Sequence, residues 1–461
     1  MDIKKRLGNR AFYRMVLTIA VPMMIQNGVS NLVSLLDNLM IGCLGTNELS
    51  GVAIANQLAF VFYLLIFGTT AGVGIFTAQY YGKGDTEGVR WTFQFKLIAN
   101  TFMSLLSIGI FLLFTPALIS LFLKGEGSVA DPEAILKTGT EYMMIMLFGL
   151  IPVGLTNAYS GTLRDTGNTS IPMIASVIAI FVNLLGNFVL IFGYLGCPAM
   201  GARGAAIATV ISRFVELGFL VIYTGTHSAK HAFIIGAFSH FRIPGKLIGQ
   251  FIIRSLPLMA NETLWSLGNV VINQSYSYRS LTAVPATSIS STIWGLVAVS
   301  FLAMGEAVGI IVGQQLGNGE IEKARDSAIK IRDFTVFCGI ICAVVLGIIS
   351  PFFPLFYNTS EPVRRLASGI IFLNALAMPL VAYMHASYFI IRSGGNTFIT
   401  FLFDSCFALV ISVPLAYVLS RYTNLSVLWM LAIVQSGEII KCIIGGVMVK
   451  SGIWARNIVR T

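Results

Sequence analysis

From Met15 to Asn47 the chain carries a single charged side chain, Asp37, in the stretch NLVSLLDNLMIG. An apolar run of this length exceeds the ~20 residues a helix needs to cross about 30 Å of hydrocarbon. In that medium the backbone can satisfy its own polar groups only as a helix or a closed barrel. Comparable blocks recur to the C-terminus. Of the 461 residues 56% are hydrophobic and 11% charged, whereas a soluble domain carries about 25% charged residues. The sequence therefore predicts an all-α polytopic membrane protein with twelve transmembrane helices, the first near residues 13–40 and the last near 427–448. The basic N-terminus MDIKKRLGNRAFYR leads straight into a full-length span. No small-residue cleavage site follows a short apolar core, so no removable signal peptide is expected.

The net charge of +10 does not point to nucleic acid, because the charge lies at the ends of the apolar blocks. With both termini placed in the cytoplasm, that side collects most of the 30 Lys and Arg, from Lys4, Lys5 and Arg6 through Lys83, Arg90, Arg164, Lys323, Arg325 and Arg392. The outer loops keep Lys124, Lys137, Arg203, Arg279, Arg364, Arg365 and Arg421. This is the positive-inside distribution. The polar stretch 225–246 falls midway and holds His227, His231 and His240. It divides the chain into an N-terminal lobe (1–224), a cytoplasmic linker (225–246) and a C-terminal lobe (247–461).

The halves repeat. AGVGIFTAQYYGKGDTEGVR (71–90) aligns with EAVGIIVGQQLGNGEIEKAR (306–325) at an offset of 235, with eight of twenty positions identical, among them Gln79/Gln314, Gly82/Gly317 and Gly84/Gly319. The same offset pairs Pro22 with Pro257, and RDTGNT (164–169) pairs with RSGGNT (392–397) at 228. A six-span unit repeated in one orientation implies two lobes related by a pseudo-two-fold axis along the membrane normal, as in two-lobed transporters. A channel more often draws its symmetry from several chains around a pore. The chain shows no HExxH, GxSxG, Walker or metal-cluster motif, so an enzyme is not expected.

These motifs together resemble the multidrug and toxic compound extrusion (MATE) transporters. The resemblance covers essentially the whole chain, and NETLWSLG (261–268) is similar to the pattern of Gram-positive bacterial members. It implies a plasma-membrane antiporter working by alternating access, which exports organic cations in exchange for H⁺ or Na⁺ and needs no cofactor. The partners implied are small organic cations and membrane lipids, with the protein a monomer. The rival within the superfamily is a flippase for lipids or lipid-linked oligosaccharides. It would need a strongly basic cavity, and few Arg or Lys lie inside these spans.

Asp37 is the first functional candidate, since an intramembrane acid is costly and functional by default. Asn183 and Asn187 stand one turn apart, hence on one helix face. With Thr209 they form the neutral oxygen and amide company that the resemblance implies for a cation-coupling site. Several relatives carry Asp where this chain has Asn187. In the second half Glu262 follows Pro257 by five residues, one turn earlier than the acid of a related branch, which falls at Trp265. His385 stands in the tenth span, where that branch has Asp. Gln26, Asn27, Asn31, Asn56, Gln57, Asn261, Glu262, Trp265 and Trp294 are candidate substrate-cavity residues, aromatic faces being suited to organic cations. Met23, Met24 and Met259 add adaptable surface. Pro22 and Pro257 are expected to kink their helices. Arg213/Glu216 and Glu438/Lys441 read as self-neutralising pairs three residues apart. Asp404 and Glu306 read as near cytoplasmic ends, and Cys338/Cys342 as small apolar packing. His227 and His231 lack a third ligand for a metal.

Overall fold

The structure is a computed structural model that describes residues 8–123, 131–239, 241–280, 282–357 and 359–460. Among the orientation charges, Lys4, Lys5, Arg6 and Lys124 lie outside these residues, as does His240.

The described chain is helical throughout. Its long helices are α1 (Arg10–Gly42), α2 (Thr46–Lys83), α3 (Thr86–Phe122), α4 (Pro132–Asp165), α5 (Ser170–Phe192), α6 (Ala202–Thr226), α7 (Gly245–Arg279), α8 (Ala283–Gly317), α9 (Ile321–Ile349), α10 (Glu361–Ser393), α11 (Thr397–Tyr422) and α12 (Val427–Ser451). Eleven of them are long and apolar enough to cross a membrane. The exception is α7. Its 35 residues are sufficient in length, but Arg254, Asn261, Glu262, Asn269, Asn273 and Gln274 dilute its apolar character. The helices overrun the expected spans because hydropathy registers only the part that sits in hydrocarbon. Large apolar side chains such as Leu113 (76% exposed) and Phe148 (73%) point outward, as they do where the solvent is lipid. The chain is a multi-pass membrane protein.

Local chemistry sets the helix ends. Asp131 caps α4, accepting from the Glu133 amide at 3.0 Å, and Pro132 occupies the first turn, where its missing N–H costs nothing. The repeated turns depend on glycine: Gly167 and Gly395 have φ of 86° and 82°, and Gly84 and Gly319 have 78° and 82°. This is the left-handed region that ends helices and that side chains with a Cβ resist. Within α11 two stretches, Leu402–Cys406 and Ala408–Ser412, wind as π-helix.

The chain packs as two compact units. One comprises residues 1–24, 78–85 and 252–461; the other comprises 25–77 and 86–251. The division thus falls within α1, just after Pro22. In the first unit Val16, Ile19, Ala20 and Met23 join a buried core with Met304, Val308, Ile311, Ile390 and Phe403. In the second the core gathers Phe62, Ile66, Met143, Leu150 and Ala205.

Candidate functional site: buried polar networks

In the second unit, three side chains from two helices, Asn183 and Asn187 of α5 and Thr209 of α6, gather around Asp37 of α1. Asn187 Nδ2 donates to Asp37 Oδ1 at 2.7 Å and contacts Asn183 Oδ1 at 3.3 Å. Asn183 Nδ2 lies 3.1 Å from Thr209 Oγ1. With the Asn183 amide turned, its nitrogen donates to both Asp37 oxygens at 3.2 and 3.3 Å and its oxygen accepts from Thr209. The turned amide serves the carboxylate better, since an ionised Asp only accepts. Asn183 and Asn187 are 6% and 1% exposed. The four-residue spacing on α5 points both amides at α1, which is why helical periodicity suffices to find them. The Asn187 Oδ1 atom is buried without a partner. The arrangement offers carboxylate, amide and hydroxyl oxygens at one point and can hold one proton or one small cation.

A second chain of contacts, which the sequence does not reveal, runs beside it. Arg164 Nη2 donates to Gln26 Oε1 at 2.7 Å, and Gln26 Nε2 lies 2.6 Å from Ser176 Oγ. Ser176 Oγ in turn donates to Glu216 Oε1 at 2.6 Å, and Arg213 Nη1 reaches Glu216 Oε2 at 3.1 Å. Gln26, expected in the cavity, is buried in this network at 8% exposure. Arg213 and Glu216 do pair, as their spacing implied, but Glu216 is also tied to α5 through Ser176 and so to α1. Both its oxygens are bonded. Elsewhere in this unit Lys96, fully buried, reaches Asp165 at 2.7 Å.

Among the other second-unit candidates, Asn56 accepts from Tyr142 Oη at 3.4 Å. Asn56, Gln57 and Asn31 are exposed and Asn27 is half-buried.

In the first unit Asn261 is buried at 2% exposure. Its Nδ2 donates to Asp404 Oδ2 at 3.2 Å and reaches Tyr388 Oη at 3.4 Å. The Ser405 hydroxyl donates to its side-chain and backbone oxygens at 2.7 and 2.6 Å. Lys441 Nζ bridges Asp404 Oδ1 at 3.5 Å and Glu438 Oε1 at 3.1 Å. Asp404 was expected beside water, yet its side chain is only 15% exposed and ion-paired. The π-helical turn around it places Asp404 and the next residue, Ser405, on the same Asn261. Glu262 is half-buried and an electrostatic neighbour of Asp404 and Arg392. His385 makes ring contacts with Phe301, Tyr388 and Phe389. Trp294 packs edge-on to Phe301, and Trp265 is 43% exposed. Pro22 and Pro257 both lie inside continuous helices.

No cluster of three or more metal-ligating side chains occurs among the described residues. His227 instead stacks on Tyr223, with centroids 4.3 Å apart.

Comparison with known proteins places this geometry in context. The chain is 25% identical over 431 residues to a probable multidrug resistance protein NorM of Thermotoga maritima, covering 90% of this chain and 87% of that one. It is 21% identical to the probable multidrug resistance protein YoeA of Bacillus subtilis, covering 92% and 91%, and 24% identical to an FAD transporter of Shewanella oneidensis, covering 80% and 79%. Its fold superposes with a TM-score of 0.83, at 19% identity and over 97% of this chain and 98% of the other, on a multidrug resistance MATE family transporter in an outward-facing conformation. A MOP superfamily transporter from Pyrococcus furiosus gives 0.82 at 19% identity over 98% of both chains. The model of the MatE family matches residues 22–189 and 257–418, two segments that begin at the paired prolines and are related by the offset of 235 read from the repeat. The chain belongs to the MatE family of transporters.

Proposed function

We propose that the protein is a secondary antiporter of the plasma membrane, both termini cytoplasmic, that exports organic cations in exchange for protons. Relatives named for multidrug resistance support export of small molecules. The single observation that carries the coupling is the Asp37 carboxylate, held in α1 by Asn187 at 2.7 Å with Asn183 and Thr209 adjoining.

An acid at this depth exchanges between a charged form, favoured by the amide donors, and a neutral form, favoured by hydrocarbon. Proton entry down the membrane potential delivers about 2.3 kcal/mol per charge per 100 mV. That free energy drives export only if the two access states bind the proton with different affinity. Pro22 lies fifteen residues before Asp37 on the same helix and gives α1 a place to bend. The polar residues Asn27, Asn31, Asn56 and Gln57, with Glu262, Trp265 and Trp294 of the other half, are proposed to face the substrate.

The test is ethidium transport by energised inverted vesicles, where export appears as uptake into the lumen, wild type beside Asp37→Asn, with a pH jump and a Na⁺ jump applied separately. Proton-driven export that Asp37→Asn abolishes at normal expression is the expected result. Export driven by Na⁺ alone would replace the coupling ion, an unaffected mutant would move coupling to Glu262, and no efflux of any cation would favour a lipid flippase.

A further inference from the structure

The two halves place the same buried network at corresponding positions but with its charges exchanged. At the offset of 235, Gln26 of α1 corresponds to Asn261 of α7; at 228, Ser176 of α5 corresponds to Asp404 of α11. The helices α6 and α12 both have 25 residues, and superposing their ends gives an offset of 225. Arg213 then falls on Glu438 and Glu216 on Lys441. The contacts agree: Gln26 bonds Ser176 and Ser176 bonds Glu216, while Asn261 bonds Asp404 and Asp404 pairs with Lys441. One half therefore has cation then acid along its sixth helix, and the other has acid then cation.

The fold accepts either order, so packing does not dictate the one at 213 and 216. What the order does decide is which group the cation faces. In the first unit the cation stands at the position that contacts α11, and it neutralises Asp404. In the second unit that position holds an acid, and the cation moves to Arg213, one turn beyond Thr209 on the same face of α6. Thr209 belongs to the Asp37 cluster. Arg213 is accordingly an electrostatic neighbour of Asp37. Its Nε is buried without a hydrogen-bond partner, while Nη1 holds Glu216. The other charged or titratable groups around it are Glu216 on α6, Tyr63 on α2 and Tyr142 on α4; α5 carries no charged or titratable side chain.

We propose that Arg213 is the tethered counter-ion of Asp37 and selects the ion the cluster accepts. A fixed guanidinium beside the carboxylate repels a metal cation that must keep its whole charge next to it. A proton also gives up the attraction between Arg213 and the ionised carboxylate, but the O–H bond it forms is strong enough to survive that loss, whereas Na⁺ is held only by ion–dipole contacts and has little affinity to spare. The cluster around Asp37, Asn183, Asn187 and Thr209 has the oxygens to hold Na⁺, and Arg213 is the residue that excludes it. The role in transport rests on the antiport reading above; the assignment of Arg213 to Asp37 does not.

The test reads Na⁺ binding directly. Melting temperature of the purified full-length protein is followed as NaCl replaces choline chloride at constant ionic strength, since a ligand bound only by the native state raises it. Wild type is expected to show no Na⁺-specific rise. Arg213→Gln is expected to gain one, and Arg213→Gln with Asp37→Asn to lose it again. Should Arg213→Gln fail to fold, the exchange Arg213→Glu with Glu216→Arg keeps the pair neutral in the order already present at 438 and 441, and it is expected to gain the same Na⁺ response. A Na⁺-specific rise in the wild type, or none in either variant, would overturn the assignment. So would a rise that survives loss of Asp37. If the predicted pattern appears but vesicles show no cation-driven efflux, the antiport reading falls while the counter-ion stands.

Discussion

Asn187 Nδ2 donates to Asp37 Oδ1 at 2.7 Å across 150 residues of chain. A hydrogen bond to a charged acceptor contributes about 1.5–3 kcal/mol, and here it favours the ionised carboxylate in a place that otherwise opposes it. Asn187→Leu removes the donor and keeps the volume of the site. Proton-driven ethidium efflux is expected to fall at least tenfold at unchanged expression, toward the level of Asp37→Asn. An efflux rate within twofold of wild type would show that the bond is incidental to coupling.

The paired Q-x-x-G-x-G turns make a different prediction. A Cβ added at Gly82 would overlap the backbone carbonyl of Gln314, and one added at Gly317 would overlap that of Gln79. Each turn is thus seated on the other with no room for a methyl group. Gln79 also ties the C-terminal segment, donating to the carbonyls of Ser393 and Arg456 at 3.1 Å and accepting from the Ile458 amide at 2.8 Å. Gly82→Ala and Gly317→Ala are each expected to cost about 3 kcal/mol or more, the upper range for overpacking, because backbone cannot rotate away. Gly84→Ala meets open space and only the strain of φ 78°, about 1–2 kcal/mol. Thermal melts of the three variants in one detergent should rank Gly84→Ala as the mildest.

Lys96 and Asp165 supply a third. The lysine is fully buried and its Nζ lies 2.7 Å from Asp165 Oδ2, with Thr162 Oγ1 at 3.5 Å. Removing one partner of a buried pair strands the other charge, at a cost of about 3–5 kcal/mol. Asp165→Asn should therefore destabilise far more than its shape change warrants, and Lys96→Met should recover much of that loss in the double variant. A double-mutant cycle on melting temperature with no coupling between the two sites would refute the pairing as a source of stability.

Much of this architecture is legible in the sequence. A lone acid in the run from Met15 to Asn47 marks Asp37, and the spacing of Asn183 and Asn187 marks the face that meets it. The repeat offsets mark the turns and the prolines. What stays hidden are contacts between helices distant in sequence: Gln26 with Ser176 and Arg164, Glu216 with Ser176, Asp404 with Lys441. Neither helical periodicity nor span hydropathy encodes which two faces will meet. A signal is nonetheless present in the repeat. Ser176 and Asp404 share a register position, and a serine opposite an acid invites the question of what charge each one answers. The π-helical turns of α11, which bring Asp404 and Ser405 to one asparagine, leave no pattern in the sequence. The division of α1 between two compact units leaves none either, since Met23 to Gln26 reads as uniform helix.

The linker holds a pH-sensitive group of its own. His231 is 7% exposed, and its Nε2 is buried without a partner between the rings of Tyr223 and Phe233. Burial, then the neighbouring His227 and Lys230, holds its imidazole below the ordinary 6.5. The folded linker thus prefers the neutral ring. Above pH 6.5 both folded and open forms are neutral and the group contributes no pH dependence. As pH falls below 6.5 the open form takes up a proton that the folded form refuses, and the linker loses stability until pH drops below the folded value. Hydrogen exchange of residues 226–239 should therefore speed up between pH 7 and pH 5 beyond the intrinsic chemical rate. In His231→Phe, which keeps the ring and removes the titration, that extra acceleration should vanish. An acceleration that persists in His231→Phe would place the pH sensitivity of the linker elsewhere, with exposed His227 the next group to replace.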